Sequence, residues 1–270
     1  MRAALLQLMV SDRETADQRS QRVQSLLSRF SEQKEHYDIL LLPELWKVGY
    51  SNYEHYHRGA EPLHGGTVRT FSRWAQRLSC TMIPGSFLER QKEGGLYNAM
   101  PLIEADGTPR AIYRKIHLFG YESEERKLLE PGREIVTAQT GAGRIGMATC
   151  YDLRFPEQFR AMADAGAEIF CVAAAWPRER RSDWRTFCRA RALENQCYLL
   201  ACNHVGRLNG VVGAGHSMIV APDGTILAEA GEEEELVTAE MDLRTVARVR
   251  KTFPALHDRV AMDSLTVVTQ

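Results

Sequence analysis

Apolar and polar positions follow one another along the chain in blocks that predict a mixed α/β protein. An apolar run over residues 2 to 10 is typical of a buried strand, and residues 12 to 30 carry apolar side chains at the spacing of an amphipathic helix. The next apolar run, "DILLLPE", predicts a strand that is covered on both faces. Because Pro43 cannot continue the ladder, this strand should end there and leave Glu44 at its terminus.

The remainder of the chain continues the pattern and adds hairpins. Further helices are predicted over residues 67–79, 156–166 and 183–196, the last behind the cap candidates Ser182 and Asp183. Further strands are predicted at 81–87, 97–108, 109–116, 143–149, 168–175 and 197–204, with a hairpin that turns at Asp223-Gly224 and a solvated turn over "GEEEEL" at 231–236. Since three of these strands follow one another without a helix between them, we expect a mixed sheet.

Length and composition narrow the class of protein. A chain of 270 residues with 44% hydrophobic and 26% charged residues fits one large α/β domain over residues 1–270, whose tail after about residue 245 either packs on a partner or stays loose. Its formal net charge of -1 comes from interspersed acidic and basic residues, which excludes a general field that attracts nucleic acid or anionic lipid. We therefore expect a small-molecule partner.

The cysteines and the apolar runs indicate the compartment. No apolar run approaches the roughly 20 residues that a membrane helix needs. The six cysteines form no C-x-x-C pair and no dense framework, as expected for reduced thiols. The sequence therefore predicts a cytoplasmic protein without disulfides.

Cys150 differs from the other cysteines in its position. The others lie inside predicted strands or a helix, where cysteine is usually a small buried apolar residue, whereas Cys150 stands where the strand 143–149 gives way to a charged, proline-containing turn. The helix that follows directs its N-terminal amides toward this turn, which predicts a lowered thiol pKa. The next backbone N–H, that of Tyr151, would be placed to stabilise an oxyanion. Position alone leaves a nucleophile and a structural thiol equally open.

A nucleophilic thiol needs a proton acceptor and a positive charge. Among the histidines, His117, His204 and His216 remain candidates for the base. Glu44 and Lys115 occupy comparable strand ends, where a carboxylate and an ammonium would supply both functions. Taken singly, each of these two is more simply explained as half of a surface ion pair.

Three other interpretations have weaker support. The segment "PRERRSDWRTFCRARA" is basic, but acidic residues interrupt it and no aromatic stacking pattern accompanies it, which favours a solvated or dimer-facing helix over nucleic-acid binding. In "EHYHRGAEPLH", His55 and His57 share a face as a metallohydrolase would require, yet no further ligand set has metal spacing. A binding protein on the same fold without chemistry is the third alternative.

Three segments, "LLLPELWKVGY", "YRKIHLF" and "GMATCYDLRFPE", resemble in order and spacing the catalytic motifs of the nitrilase superfamily of carbon–nitrogen hydrolases. The segments "GAEIFCVAAAWP", "RARALENQCYLLACNHVG" and "GHSMIVAPDGTIL" extend the resemblance from residue 1 to about 245. The resemblance implies an αββα sandwich, whose protomers pair across their outer helices into a four-layer αββααββα dimer core. It implies a homodimer or a higher homo-oligomer, with no metal and no organic cofactor.

The resemblance also implies roles for individual residues. Glu44 corresponds to the general base, Cys150 to the nucleophile that forms a thioester, and Lys115 to the cation that stabilises the tetrahedral intermediate. A second glutamate of the family precedes a Pro-Gly turn, and its spacing matches Glu125 in "ESEERKLLEPG". Two neighbours stand close enough to remain alternatives for it, Glu122 and Glu124.

Within the superfamily, "CYDLRFPE", "AAAWP" and "RALENQCYLLACN" look most like the ω-amidase branch, which acts on 2-oxoglutaramate and related monoamides of dicarboxylic acids. The loop "WKVGYSNYEHYH" departs from that branch, so aliphatic amidases, deaminated-glutathione amidases, N-carbamoyl amidases and nitrilases remain alternatives.

An ω-amidase needs a cation for the remote carboxylate of its substrate. Arg154 is a candidate, although a pair between Asp152 and Arg154 that braces the nucleophile turn is the simpler expectation. Trp176 and Tyr50 are expected to form walls of the substrate pocket, beside Tyr151.

Overall fold

The strands and helices alternate broadly as the sequence pattern predicts. The computed structural model describes residues 1–33, 35–260, 264 and 266. In chain order, the strands are β1 (Arg2–Met9), β2 (Ile39–Leu41), β3 (Thr81–Ile83), β4 (Phe87–Arg90), β5 (Leu96–Ile103), β6 (Pro109–Arg114), β7 (Thr137–Thr140), β8 (Gly143–Thr149), β9 (Ile169–Ala173), β10 (Tyr198–Cys202), β11 (His204–Val205), β12 (Arg207–Leu208), β13 (Val211–Val212), β14 (Met218–Val220), β15 (Ile226–Glu229) and β16 (Glu235–Glu240).

The helices lie between these strands. They are α1 (Ala16–Glu32), α2 (Tyr56–Gly59), α3 (Gly66–Leu78), α4 (Glu125–Leu128), α5 (Pro156–Asp164), α6 (Arg181–Asn195) and α7 (Arg244–Thr252), with short 3-10 turns at Tyr53–His55, Cys150–Arg154 and Arg178–Arg180. Within the described ranges, no helix is both long enough and apolar enough to span a bilayer.

Two mixed sheets form the centre of the molecule. In the first, the order is β11-β1-β2-β3-β5-β4, with β16 paired to β1 and β6 paired to β5. In the second, the order is β15-β14-β10-β9-β8-β7. Each sheet has a parallel centre, β1 with β2 and β3 in one and β8 with β9 and β10 in the other, while hairpins extend the edges. The hairpins account for the mixed sheet that the closely spaced strands predict.

The sheets pack face to face, and helices cover their outer faces. Leu5, Leu41 and Met100 of the first sheet share a buried core with Met147 and Leu200 of the second. A second core lies between the first sheet and helices α1 and α3, and a third between the second sheet and helices α5 and α6. Because each face of both sheets is apolar, all four layers are needed to bury them. The predicted αββα sandwich is confirmed.

Helix α1 begins at Ala16, four residues later than the pattern of apolar residues predicts. Thr15 is the cap: its hydroxyl accepts a hydrogen bond from the Gln18 N–H at 3.2 Å, and the Gln18 side chain accepts one from the Thr15 N–H at 2.9 Å. This reciprocal pair satisfies two N–H groups that the helix leaves open. The preceding residues therefore stay outside the helix.

Helix α6 begins at Arg181, so the predicted caps Ser182 and Asp183 are wrong. The residue before the helix is Arg180, and its side chain makes no cap hydrogen bond. Asp183 lies in the first turn and accepts a hydrogen bond from Arg154 instead. Most of the basic cluster is solvated as expected, since Arg178, Arg181, Arg185 and Arg189 are exposed. Arg191 is the exception, because it is 5% exposed and donates to the Leu153 carbonyl at 3.0 Å.

The predicted strand over 81–87 is interrupted. It divides into β3 and β4 at Pro84-Gly85, where Gly85 has φ 74°. A Cβ at this position would lie 1.8 Å from the Pro43 carbonyl oxygen, so only glycine permits this approach of the two segments. The contact fixes the chain immediately before Glu44.

Two expectations about the C-terminal third also change. Strand β16 begins at Glu235 within the predicted solvated turn, and Glu234 forms an ion pair with Arg22 and accepts from the Met9 N–H. Part of the tail packs on its own chain: Arg250 of α7 donates to the Ala167 carbonyl at 3.0 Å. The tail residues 261–263, 265 and 267–270 lie outside the described residues.

Candidate active site

Cys150 lies where β8 ends and the chain turns into the 3-10 turn before α5. Its φ is 47°, in the left-handed region that residues with a side chain rarely adopt. Such strain persists only where surrounding contacts enforce it, and it is concentrated at functional sites. The turn therefore has the strand-to-helix geometry of a nucleophile elbow, as the sequence suggests.

Asp152 provides the contacts that hold this turn. Its Oδ2 accepts from the Thr149 N–H at 2.7 Å and from the Tyr113 hydroxyl at 2.6 Å. Its Oδ1 accepts from the His117 N–H at 3.1 Å and lies 2.8 Å from His117 Nδ1. A buried carboxylate with these partners ties the nucleophile turn to the end of β6.

The predicted pair between Asp152 and Arg154 is wrong. Arg154 donates to Asp183 Oδ2 at 2.8 Å, and its guanidinium lies 5.2 Å from the ring centroid of Trp176 and 5.0 Å from that of Phe187. Asp152 already uses both oxygens on other donors, so its acceptor capacity is engaged without an arginine.

Glu44 lies in the turn after β2 and reaches across to the second sheet. Its N–H donates to the Ala174 carbonyl at 3.3 Å, and its Oε2 accepts from the Ala175 N–H at 2.9 Å. Its Oε1 accepts from Asn98 Nδ2 at 2.8 Å. The residue is 1% exposed, so it is not half of a surface ion pair.

Lys115 follows β6 and joins Glu44 to a second carboxylate. Its Nζ donates to Glu44 Oε1 at 2.9 Å, and to Glu125 at 2.9 Å (Oε1) and 3.1 Å (Oε2). All three side chains have an exposure of 0%. Of the three glutamates that the spacing leaves open, Glu125 is the one beside Lys115, whereas Glu122 and Glu124 are exposed.

Asn98 is a member of this cluster that sequence analysis missed. Its Nδ2 donates to Glu44 Oε1 at 2.8 Å and lies 3.4 Å from Glu125 Oε1, so one amide bridges both carboxylates. It is 1% exposed within the apolar strand β5. An amide inside an otherwise apolar strand is the signal that could have identified it.

Burial dominates the electrostatics of the cluster. It raises the pKa of Glu44, and the Glu125 carboxylate raises it further, while the Lys115 ammonium acts in the opposite direction. Burial alone would lower the pKa of Lys115, but the carboxylates of Glu125 and Glu44 raise it well above its ordinary value. The lysine is therefore a fixed cation, and Glu44 is a carboxylate of increased proton affinity.

The Cys150 thiol does not have the lowered pKa that its position suggests. Burial and the Glu44 carboxylate raise its pKa well above the ordinary value, and the opposing effects of Lys115 and the Ala175 N–H are smaller. In the resting protein the thiol therefore keeps its proton and needs an adjacent base. Glu44 is the carboxylate whose charge acts on this thiol.

A cavity of about 440 Å³ opens above the cluster, a volume within the range of small-molecule sites. Lys115 and Cys150 lie among its lining residues, and so do the predicted contact residues Tyr50, Tyr151, Trp176 and Arg154. The Tyr50 hydroxyl also donates to Glu125 Oε2 at 3.2 Å. The cavity has further lining residues that sequence analysis did not identify, namely Tyr53, Phe119, Tyr121, Arg180, Gly210 and Val211.

The histidine alternatives find no support in this geometry. Within the described residues, no histidine lines the cavity. His117 is bound to Asp152, His216 lies 3.1 Å from Glu229, and burial lowers the pKa of His204 to about 4. His55 and His57 are exposed, and the described part of the chain contains no group of three or more side chains placed to bind a metal ion.

Comparison with known proteins agrees with this arrangement. Residues 2–251 match the family described as carbon-nitrogen hydrolase. The chain is 34% identical over 265 residues to a 2-oxoglutaramate amidase of Paenarthrobacter nicotinovorans, covering 96% of this chain and 89% of the relative. It is 35% identical over 230 residues to a 2-oxoglutaramate amidase of Bacillus subtilis, covering 84% and 86%.

A solved structure of this superfamily has a fold similar to that of this chain. A CN-hydrolase superfamily protein from Xanthomonas campestris, which carries an arsenic adduct in its active site, superposes with a TM-score of 0.86 at 31% identity. The match covers 97% of this chain and 98% of that protein. The chain therefore belongs to the carbon–nitrogen hydrolase family of the nitrilase superfamily.

Proposed function

We propose that this hydrolase is an ω-amidase, which releases ammonia from monoamides of dicarboxylic acids such as 2-oxoglutaramate. The observation that carries the proposal is the buried contact of Glu44, Lys115 and Glu125 beside Cys150 at one cavity. The names of the two bacterial relatives support the substrate class.

The first half of the reaction forms a thioester. Glu44 takes the proton of the Cys150 thiol as the sulfur attacks the amide carbon, because a thiol of raised pKa attacks only with a base beside it. Negative charge then develops on the amide oxygen, where the Lys115 ammonium and the backbone N–H of Tyr151 stabilise it. The proton on Glu44 passes to the departing nitrogen, and ammonia leaves.

The second half releases the acid. Glu44, again a carboxylate, takes a proton from a water molecule that attacks the thioester, and the same oxyanion donors stabilise the second intermediate. This intermediate collapses by breaking its C–S bond, Glu44 returns the proton to the Cys150 sulfur, and the acid leaves. Glu125 holds Lys115 in position through two hydrogen bonds, since both Glu125 oxygens lie within 3.1 Å of its Nζ. Because burial raises the pKa of Glu44, its carboxylate holds the transferred proton more strongly than an ordinary glutamate would, which favours both proton transfers.

We also propose that one domain covers residues 1–270 and that two copies pair across their outer helices. Leu193 on the outer helix α6 is 53% exposed and Phe253 after α7 is 70% exposed, which supports a partner on this side. The six cysteines are free, which suits the reducing cytoplasm.

Ammonia release tests the proposed function. The substrates are 2-oxoglutaramate, succinamate, a simple aliphatic amide, a nitrile and an N-carbamoyl amine. We expect turnover of the monoamides and a loss of at least about a thousandfold in Cys150→Ala, with unchanged circular dichroism. Cys80→Ala is the matched control, since this thiol is buried away from the cavity and should be dispensable for turnover. Turnover of the nitrile or carbamoyl compound alone would contradict the proposed branch, and appreciable activity of Cys150→Ala would contradict the nucleophile.

A further inference from the structure

Two arginines line the active-site cavity, and their guanidinium groups differ in what they contact. Arg154 donates to Asp183 Oδ2 at 2.8 Å and forms a salt bridge with it. The Arg180 guanidinium has no hydrogen bond and no ion pair with any residue in the described part of the chain. Its positive charge is therefore available to a molecule that enters the cavity.

Aromatic rings orient Arg180 without using its donors. Its guanidinium carbon lies 5.5 Å from the ring centroid of Phe119 and 5.7 Å from that of Tyr121. Such contacts act on the face of the guanidinium and leave its five N–H groups free. A planar fork of free donors matches both oxygens of a carboxylate.

The backbone of Arg180 is held firmly. Its carbonyl accepts from Trp176 Nε1 at 2.7 Å, and its N–H donates to the Pro177 carbonyl at 3.1 Å. The side chain is half-buried at the entrance to helix α6. Binding an anion here would therefore order only the side chain, which keeps the entropic cost small.

The charge around the cavity makes such a cation necessary for an anionic substrate. Lys115 is engaged by Glu44 and Glu125, so the catalytic cluster does not attract a second negative charge. Glu122 and Glu179 also line the cavity. A substrate with a remote carboxylate would be repelled unless a free cation received it.

We propose that Arg180 binds the carboxylate at the far end of the substrate while the amide lies at Cys150. The residue thereby selects amides that carry an anionic terminus over neutral amides of the same length. This inference rests on the proposed amidase function and assigns the substrate-binding role to Arg180, whereas sequence analysis named Arg154.

A pair of nearly isosteric substrates tests this assignment. Succinamate carries the terminal carboxylate, and succinamide replaces it with a neutral amide. In Arg180→Met we expect kcat/KM for succinamate to fall about 10- to 100-fold, mainly through KM, because charge-assisted hydrogen bonds are lost. Succinamide turnover should change by no more than about twofold, and Arg180→Lys should restore part of the preference.

The control variant is Arg178→Met. Arg178 belongs to the same 3-10 turn, but it is exposed, pairs with Glu232 at 2.7 Å and does not line the cavity. Arg178→Met should leave kcat/KM unchanged for both succinamate and succinamide. An equal loss on both substrates in Arg180→Met would overturn the inference, because it would indicate a structural effect. A charge-selective loss in Arg154→Met with none in Arg180→Met would also overturn it.

Binding to the inactive enzyme separates this inference from the proposed function. Titration calorimetry compares succinamate binding to Cys150→Ala and to Cys150→Ala with Arg180→Met. We expect at least about tenfold weaker binding to the double variant, with succinamide binding equal in both. Equal succinamate affinities would overturn the inference even if the wild type were an amidase. A selective loss would support it even if ammonia release from every substrate failed.

Discussion

Removing one oxygen atom from Tyr113 should destabilise the protein strongly, although the residue does not line the cavity. Tyr113 and Asp152 are both 0% exposed, and the hydroxyl donates to the carboxylate at 2.6 Å. The same hydroxyl accepts from the Ile116 N–H at 3.1 Å and from Gln158 Nε2 at 3.0 Å. Tyr113→Phe keeps the ring and its packing but leaves these groups without their partner.

The magnitude follows from the bonds that are lost. A hydrogen bond to a charged group contributes about 1.5 to 3 kcal/mol, and a buried donor without a partner costs about 1 to 3 kcal/mol. Gln158 keeps a second acceptor, the Met147 carbonyl at 3.4 Å, so the main orphaned donor is the Ile116 N–H. We expect Tyr113→Phe to lower the free energy of unfolding by about 3 to 5 kcal/mol.

Urea unfolding at one protein concentration measures this loss, and Tyr97→Phe is the control. The Tyr97 hydroxyl donates to Glu130 Oε2 at 2.8 Å, so the bond has the same chemistry, but it is exposed to solvent. Its removal should cost less than about 1 kcal/mol. If Tyr113→Phe cost no more than Tyr97→Phe, the argument that Asp152 braces the nucleophile turn through buried hydrogen bonds would be refuted.

Three further variants test the electrostatics of the site and the metal alternative. Glu125→Gln should move the acidic limb of the pH profile of kcat to lower pH. Burial and the Glu125 carboxylate both raise the pKa of Glu44, so removing the carboxylate lowers that pKa. An acidic limb of the residual activity at the same or a higher pH would contradict this. Asn98→Leu should reduce ammonia release about tenfold or more, since it removes a charge-assisted hydrogen bond to Glu44. The control Asn209→Leu, in the exposed hairpin between β12 and β13, should have a much smaller effect. Equal losses in the two variants would refute a special role for Asn98. The double variant His55→Ala and His57→Ala should retain full activity in the presence of a chelator, because both side chains are exposed and neither lines the cavity; a loss of activity would revive the metallohydrolase alternative.

The sequence predicts those parts of the site that depend on local signals. Pro43 cannot continue the ladder of β2 and leaves Glu44 in the turn after it, and the charged turn after β8 distinguishes Cys150 from the cysteines inside strands. Such local signals do not predict which polar side chains are buried. Among Glu122, Glu124 and Glu125 the spacing leaves a choice, and only tertiary packing places one of them against Lys115.

Other features of the site could not be predicted from the sequence, because the residues that create them are far apart in the chain. Asn98 bridges Glu44 and Glu125, and no local pattern connects the three. The raised pKa of the Cys150 thiol has the same origin, since helix direction suggests a lower pKa but burial and Glu44 outweigh it. The spacing of apolar residues predicts the wrong start for α1, and here the missing information is local. The capping box at Thr15 sets the helix start and outweighs the apolar spacing.

The position of the cluster at the seam between the two sheets has a consequence for refolding. Glu44 follows a strand of the first sheet and bonds to Ala174 and Ala175 at the end of a strand of the second, while Cys150 ends another strand of the second sheet. Neither half of the chain can assemble the site alone, and contacts of such high sequence separation form slowly. Recovery of catalysis during refolding should therefore trail the recovery of secondary structure, and enzymatic activity would report the docking of the sheets.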